Sequence, residues 1–153
     1  MRTLFIAFLA ISAAACEDRV VGPERSDSDA IQVAYFAQLM AEEPFPAGVA
    51  YCVSVGPTWA ERQDPSDDVV NDLRRLFGKV QPGSACVSDV SGSTYNGDPA
   101  RSYHIESVLP EGNVASAVGF YRQNGLEGAY YAAQLEKQGS LWVITDFDLT
   151  GVW

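Results

Sequence analysis

Apolar positions recur along the chain in two periods. Over residues 30–43, Ile31, Tyr35 and Leu39 share one stripe, widened by Val33, Phe36, Ala37 and Met40. That spacing predicts a helix from Ala30 to Glu43, capped by Ser28 or Asp29 and ended by Pro44. A helix apolar on most sides belongs across a sheet. A second helix is predicted over Asp64–Phe77. Asp64 caps it, Pro65 takes the first turn, and Asp67 and Asp68 complement the positive end of the helix dipole. Its buried face is Val69, Val70, Leu73, Leu76 and Phe77, and Gly78 ends it.

The remaining pattern has period two. Val49, Tyr51, Val53 and Val55 alternate with smaller residues, so Val49–Val55 reads as a strand stopped by Gly56-Pro57. A short strand is expected around Ala85-Cys86-Val87, and Ser91–Pro99 reads as a loop. Four longer runs follow: Arg101–Leu109, Asn113–Arg122, Leu126–Lys137 and Leu141–Trp153. Pro110-Glu111-Gly112, Asn124-Gly125 and Gln138-Gly139 separate them, so the four form an antiparallel meander. On the last strand Leu141, Val143, Phe147, Leu149 and Trp153 fall on one side and are expected to meet the helices. Trp142, Ile144, Asp146 and Asp148 fall on the other.

Ahead of this domain the pattern is of another kind. Met1-Arg2-Thr3 is a short basic start, and Leu4–Ala15 is apolar except for Ser12. Twelve such residues suit the core of a signal peptide and fall short of the ~20 needed to span a bilayer. The run ends Ala13-Ala14-Ala15-Cys16, then turns polar at Glu17-Asp18-Arg19. This stretch resembles the lipobox of bacterial lipoproteins, although Ala13 stands where that family more often has Leu. The resemblance implies loss of residues 1–15 and attachment of lipid, with acyl chains such as palmitate, to Cys16. The membrane would then be a partner through that lipid. Two alternatives stay open: cleavage after an Ala-x-Ala site with Cys16 a bystander, and a buried N-terminal helix. Within that resemblance, Glu17 stands where an Asp would resemble an inner-membrane retention signal, which implies the periplasmic face of the outer membrane if the envelope is Gram-negative. Glu17–Asp29, acidic and turn-rich, reads as a flexible tether. The expected organisation is therefore a signal peptide (1–15), a lipidated cysteine and tether (16–29), and one α+β domain (30–153).

Charge and composition narrow the chemistry. Ten Lys+Arg against twenty Asp+Glu leave a net charge of −10, which repels nucleic acid. A single histidine rules out a multi-histidine metal site within one subunit, and no Asp-x-Asp-x-Asp-Gly calcium loop is present. No cofactor is indicated. With Cys16 assigned to lipid, Cys52 and Cys86 remain as an even pair, expected to form a disulfide in an oxidising compartment.

The order of elements resembles the cystatin-like and nuclear-transport-factor-two-like cone folds, in which a helix sits in the grip of a bent sheet. Gly139-Ser140-Leu141-Trp142-Val143-Ile144 is similar to the last strands of those folds. The expected fold class is α+β, two helices on a curved antiparallel sheet, with a ferredoxin-like sandwich as the alternative. Some cone-fold proteins are isomerases or dehydratases that use His-Asp or Tyr-Asp pairs. Here Tyr103 and His104 alternate on one strand, so only one of them faces inward. Glu106, Asp146 and Asp148 read as outer-face residues, and no catalytic set is assigned. Tyr103, Tyr121, Tyr130 and Phe147 are the candidates for an aromatic pocket. The function expected is binding or interaction at the cell envelope, with an envelope protein or a small apolar ligand as partner. A small-ligand carrier or cone-fold enzyme is the alternative.

Overall fold

The computed structural model describes residues 26–44, 48–89, 91–124 and 127–153. The leader, Cys16 and the tether as far as residue 25 lie outside the described residues, as does the Gly125 turn position. Helix α1 spans Asp27–Glu42 and begins three residues before the sequence pattern suggested. Ser26 takes the cap, its hydroxyl accepting from the Asp29 N–H at 3.1 Å. Asp27–Asp29 are therefore helix and not tether. The Asp27 carboxylate accepts from Lys137 Nζ at 2.7 Å and from the Trp142 indole at 3.0 Å. Those two hydrogen bonds hold its pKa below the usual carboxylate value.

Helix α2 spans Asp67–Phe77 and is capped by Ser66, not by Asp64. Asp64 accepts instead from the Ser84 N–H and hydroxyl. Ser66 also donates to Asp29 at 3.0 Å, which joins the two helix starts. Val69, Val70 and Leu73 are buried as the spacing predicted, whereas Leu76 is 63% exposed.

The strands are β1 (Ala50–Val55), β2 (Val80–Pro82), β3 (Val87–Asp89), β4 (Gly92–Tyr95), β5 (Asp98–Glu111), β6 (Val114–Asn124), β7 (Glu127–Gln138) and β8 (Leu141–Val152). The expected meander is β5-β6-β7-β8, and the sheet continues β2-β1-β5 on its other side. The sheet is mixed, not antiparallel throughout. β1 runs parallel to β2 and to β5, the first through the crossover helix α2. The fold class is α+β with two helices and an eight-stranded mixed sheet.

The stretch expected as a loop over Ser91–Pro99 is a hairpin. Tyr95 pairs with Asp98 across Asn96-Gly97, both at positive φ (53° and 84°), as a two-residue turn requires.

Both helices lie on one face. Ile31, Tyr35, Phe36, Leu39 and Met40 of α1 pack with Val69 and Leu73 of α2 on Val53, Tyr103, Ile105, Ala117 and Leu135. Tyr35 is fully buried and donates to the Tyr131 carbonyl at 2.8 Å. The facing of β8 differs from strict alternation. Trp142, Ile144 and Phe147 join the core, while Leu141, Val143 and Leu149 are exposed. The register slips between Gln134 and Leu135 and again between Tyr130 and Tyr131, so two β8 residues, Thr145 and Thr150, have no partner. A bulge moves every later side chain to the opposite face.

Candidate functional site: an aromatic and arginine shelf on the open face of the sheet

The face away from the helices carries one cross-strand row: Ser54 on β1, His104 on β5, Phe120 on β6, Tyr130 on β7 and Gly151 on β8. Period-two facing places all five on the same side. Phe120 is the hub, 5.0 Å from His104, 5.0 Å from Tyr130, 5.9 Å from Trp59 and 5.7 Å from Trp153.

Two segments bring the tryptophans over it. Trp59 begins a 3-10 turn, Trp59–Glu61, that follows β1. Gly56 N–H donates to Ile105 O, and Val55 and Gln63 exchange backbone hydrogen bonds, folding the turn back onto the sheet. Gly56 lies at φ 142°, and a Cβ there would meet Glu61 O at 2.7 Å. Trp153 follows β8 and exchanges backbone hydrogen bonds with Gly128. A Cβ on Gly128 would stand 2.3 Å from the Trp153 ring, so the missing side chain is the seat of that indole.

Two cations complete the surface. The Arg62 guanidinium carbon lies 4.4 Å from the Trp59 centroid and that of Arg122 5.5 Å from the same centroid. Arg62 also donates to the Trp59 carbonyl, and Arg122 to the Asp89 carbonyl. Trp153 is 42% exposed, and Trp59, Arg62, Arg122 and Tyr130 are half-buried. An aromatic platform with guanidinium groups at its edge can stack a ring and attract an anion.

His104 faces outward as the alternation required, but it is fully buried beneath Trp59 and not solvent-side. Its Nε2 lies 2.9 Å from the Gly56 carbonyl, which only accepts, so Nε2 carries the proton. Nδ1, 2.9 Å from Ser54 Oγ, then accepts from the hydroxyl. Burial, reinforced by the Arg62 charge, pushes the imidazole pKa down to about 4. The ring is neutral at pH 7. The group behind the imidazole is a backbone carbonyl and not a carboxylate, and Ser54 is 2% exposed, so the pair braces β1 against β5.

The four aromatic residues expected in a pocket do not converge. Tyr103 is buried on the helix side and donates to Glu43 O at 2.8 Å. Tyr121 is on the same side, under the Arg101 guanidinium at 4.7 Å. Phe147 stacks on Tyr131 at 5.0 Å and meets Tyr35 edge-on. Only Tyr130 belongs to the open-face row. Asp146 and Asp148 are exposed. Glu106 is half-buried and accepts from the Tyr130 hydroxyl at 3.5 Å. Sequence reasoning missed Trp59, Arg62, Arg122 and Trp153. The one available signal was the shared parity of Phe120 with Arg122 and of Gly128 with Tyr130.

Cys52 and Cys86 form a disulfide with their Cα atoms 6.3 Å apart, clamping the start of β3 onto β1. Beside it is a 330 Å³ pocket lined by Ser54, Arg62, Asp64, Ser84 and Cys86 among others. A larger open groove of 1020 Å³ lies between the two helices and the start of β8. Ala30, Val33, Ala34 and Ala37 form its floor, and Leu76 and Leu141 its rim. Among the described residues no group of three or more His, Cys, Asp or Glu side chains could hold a metal ion. No described helix is long and apolar enough to cross a membrane. Comparison of the chain with protein-family models, with curated proteins and with solved structures finds no match.

Proposed function

We propose that this chain is an exported, lipid-anchored binding domain that presents its aromatic and arginine shelf to a partner in the cell envelope. The observation that carries the reading is the shelf itself. Tryptophan, tyrosine and arginine are the residues that dominate binding hot spots, and here they are half exposed on a sheet face that neither α1 nor α2 covers. The anchor rests on the lipobox-like Ala13-Ala14-Ala15-Cys16 and agrees with a Cys52–Cys86 disulfide, which persists in oxidising compartments.

The described residues begin at Ser26, ten residues after Cys16. Asp27 is pinned to Lys137 at one end of β7, and Tyr130 lies seven residues along that strand, about 23 Å away. The packing of α1 on the meander supports a cone-like arrangement, with the β1–α2–β2 crossover as an addition to it. The alternative of a small-ligand carrier or cone-fold enzyme needs space between helix and sheet. Tyr35, Phe36, Leu73 and Phe147 occupy that space, which weighs against it.

The test is fractionation of native cells carrying Cys16→Ser. Release of the protein from membranes is the expected result. Continued membrane attachment would exclude the lipid.

A further inference from the structure

We propose that the shelf recognises an acidic saccharide, a pyranose ring bearing a carboxylate, with the ring on Trp153 and the carboxylate drawn to Arg62 and Arg122. This deepens the binding reading of the shelf and is independent of the lipid anchor. Three features select that chemistry.

The first is charge. The chain as a whole carries −10 and repels anions, yet two guanidinium groups lie within 5.5 Å of the centroid of a single ring. Both guanidinium groups border the same indole, and an arginine–carboxylate contact is charge-assisted. A densely charged polyanion would still meet the acidic remainder of the surface. A ligand with one carboxylate per ring adds less of that repulsion, with Asp89 beside Arg122 and Glu106 beside Tyr130 as the acidic groups at the shelf.

The second is the shape of the aromatic surface. Trp153 stands at 49° to Tyr130, with the buried Phe120 beneath them, so the two accessible rings make a stepped surface and not a parallel-walled slot. A flat aromatic ligand gains most when held on both faces. A pyranose has one apolar C–H face to lay on an indole and hydroxyls around its edge to leave in water. A bare inorganic anion would use the arginines and leave the rings unused.

The third is the polar edge. The Glu106 carboxylate, which accepts from the Tyr130 hydroxyl, is an acceptor for saccharide hydroxyls at the same margin.

The test is a titration of the full mature chain by tryptophan fluorescence, with trigalacturonate as the probe and maltotriose and benzoate as comparisons. Saturable quenching by trigalacturonate is expected, with affinities for the other two lower by about tenfold or more. Arg62→Gln and Arg122→Gln should each weaken trigalacturonate binding by about tenfold, while Arg62→Lys retains part of it. Circular dichroism establishes that the variants fold. Should either fail to fold, the wild-type chain still decides: raising the salt from about 0.05 to about 0.5 M must weaken trigalacturonate. Equal binding of maltotriose would overturn the anionic requirement, and equal binding of benzoate the saccharide. No response to trigalacturonate, insensitivity to salt, or unchanged affinity in a folded double variant would overturn the site. Membrane release by Cys16→Ser reads only the anchor, so the two proposals fail separately.

Discussion

His104 allows one prediction to be worked through, because it is the only histidine in the chain and every imidazole signal belongs to it. In the folded state its pKa is about 4 against an ordinary value of 6.5. As pH falls below 6.5 the unfolded chain takes up a proton that the folded chain refuses until about pH 4. The stability that the neutral ring contributes is complete above pH 6.5 and is lost progressively between 6.5 and 4. At 1.36 kcal/mol per pKa unit, the loss is about 2 kcal/mol at pH 5 and about 3 kcal/mol at pH 4. A domain of this size is stable by ~5–15 kcal/mol, so the loss is readily measured. The assay is urea unfolding at pH 7, 5 and 4, for wild type and for His104→Gln. The glutamine retains one donor for Gly56 and one acceptor for Ser54 but does not titrate. Carboxylates contribute to both chains alike, and those of Asp27 and Asp89, held low by their hydrogen bonds, lose their contribution only below the ordinary value of 3.8. The difference between the two chains should therefore narrow from pH 6.5 to 4 by about the stated amounts. An imidazole resonance titrating near 6.5, or identical pH slopes for the two proteins, would refute the buried, singly protonated ring.

Gly128→Ala should displace the Trp153 indole, since the new methyl would stand 2.3 Å from that ring and 2.6 Å from Tyr121 O. A cost of about 1–3 kcal/mol and a red-shifted tryptophan emission are expected, and an unchanged emission would contradict the seating of Trp153. Non-reducing mass spectrometry of the exported domain should show Cys52 joined to Cys86, two free thiols being the contrary result. Reducing that bond, which closes a separation of 34 residues, should cost about 3.8 kcal/mol in the chain-entropy model and lower Tm by on the order of 10 °C.

The elements were legible because their signals are local. Leu73 lies among Val69 and Val70 at helical spacing, Gly78 ends the second helix, and Gln138-Gly139 separates two strands, all within a few residues of chain. The disulfide was legible by counting. The ends of the helices were less so, because Ser26 competed with Ser28 and Asp29, and Ser66 with Asp64. Only the tertiary partners, Lys137 and Trp142 for Asp27 and Ser84 for Asp64, decided which side chain capped and which turned elsewhere.

What the amino-acid order determined by itself is the inventory: two helices, a closing meander, a paired set of cysteines and an acidic surface, each following from spacing or composition. What only the tertiary structure decided is facing and neighbourhood. Unpaired residues at Thr145 and Thr150 broke the single alternation expected of β8, so that Trp142 and Ile144 before the first slip share the core face with Phe147 after it, since a bulge is a property of two strands aligned and not of either alone. The parallel setting of β1 beside β5 brought Ser54 to His104, fifty residues on. The shelf gathers Trp59, Arg122 and Trp153 from three distant parts of the chain, because strand pairing brings together residues that no local period relates.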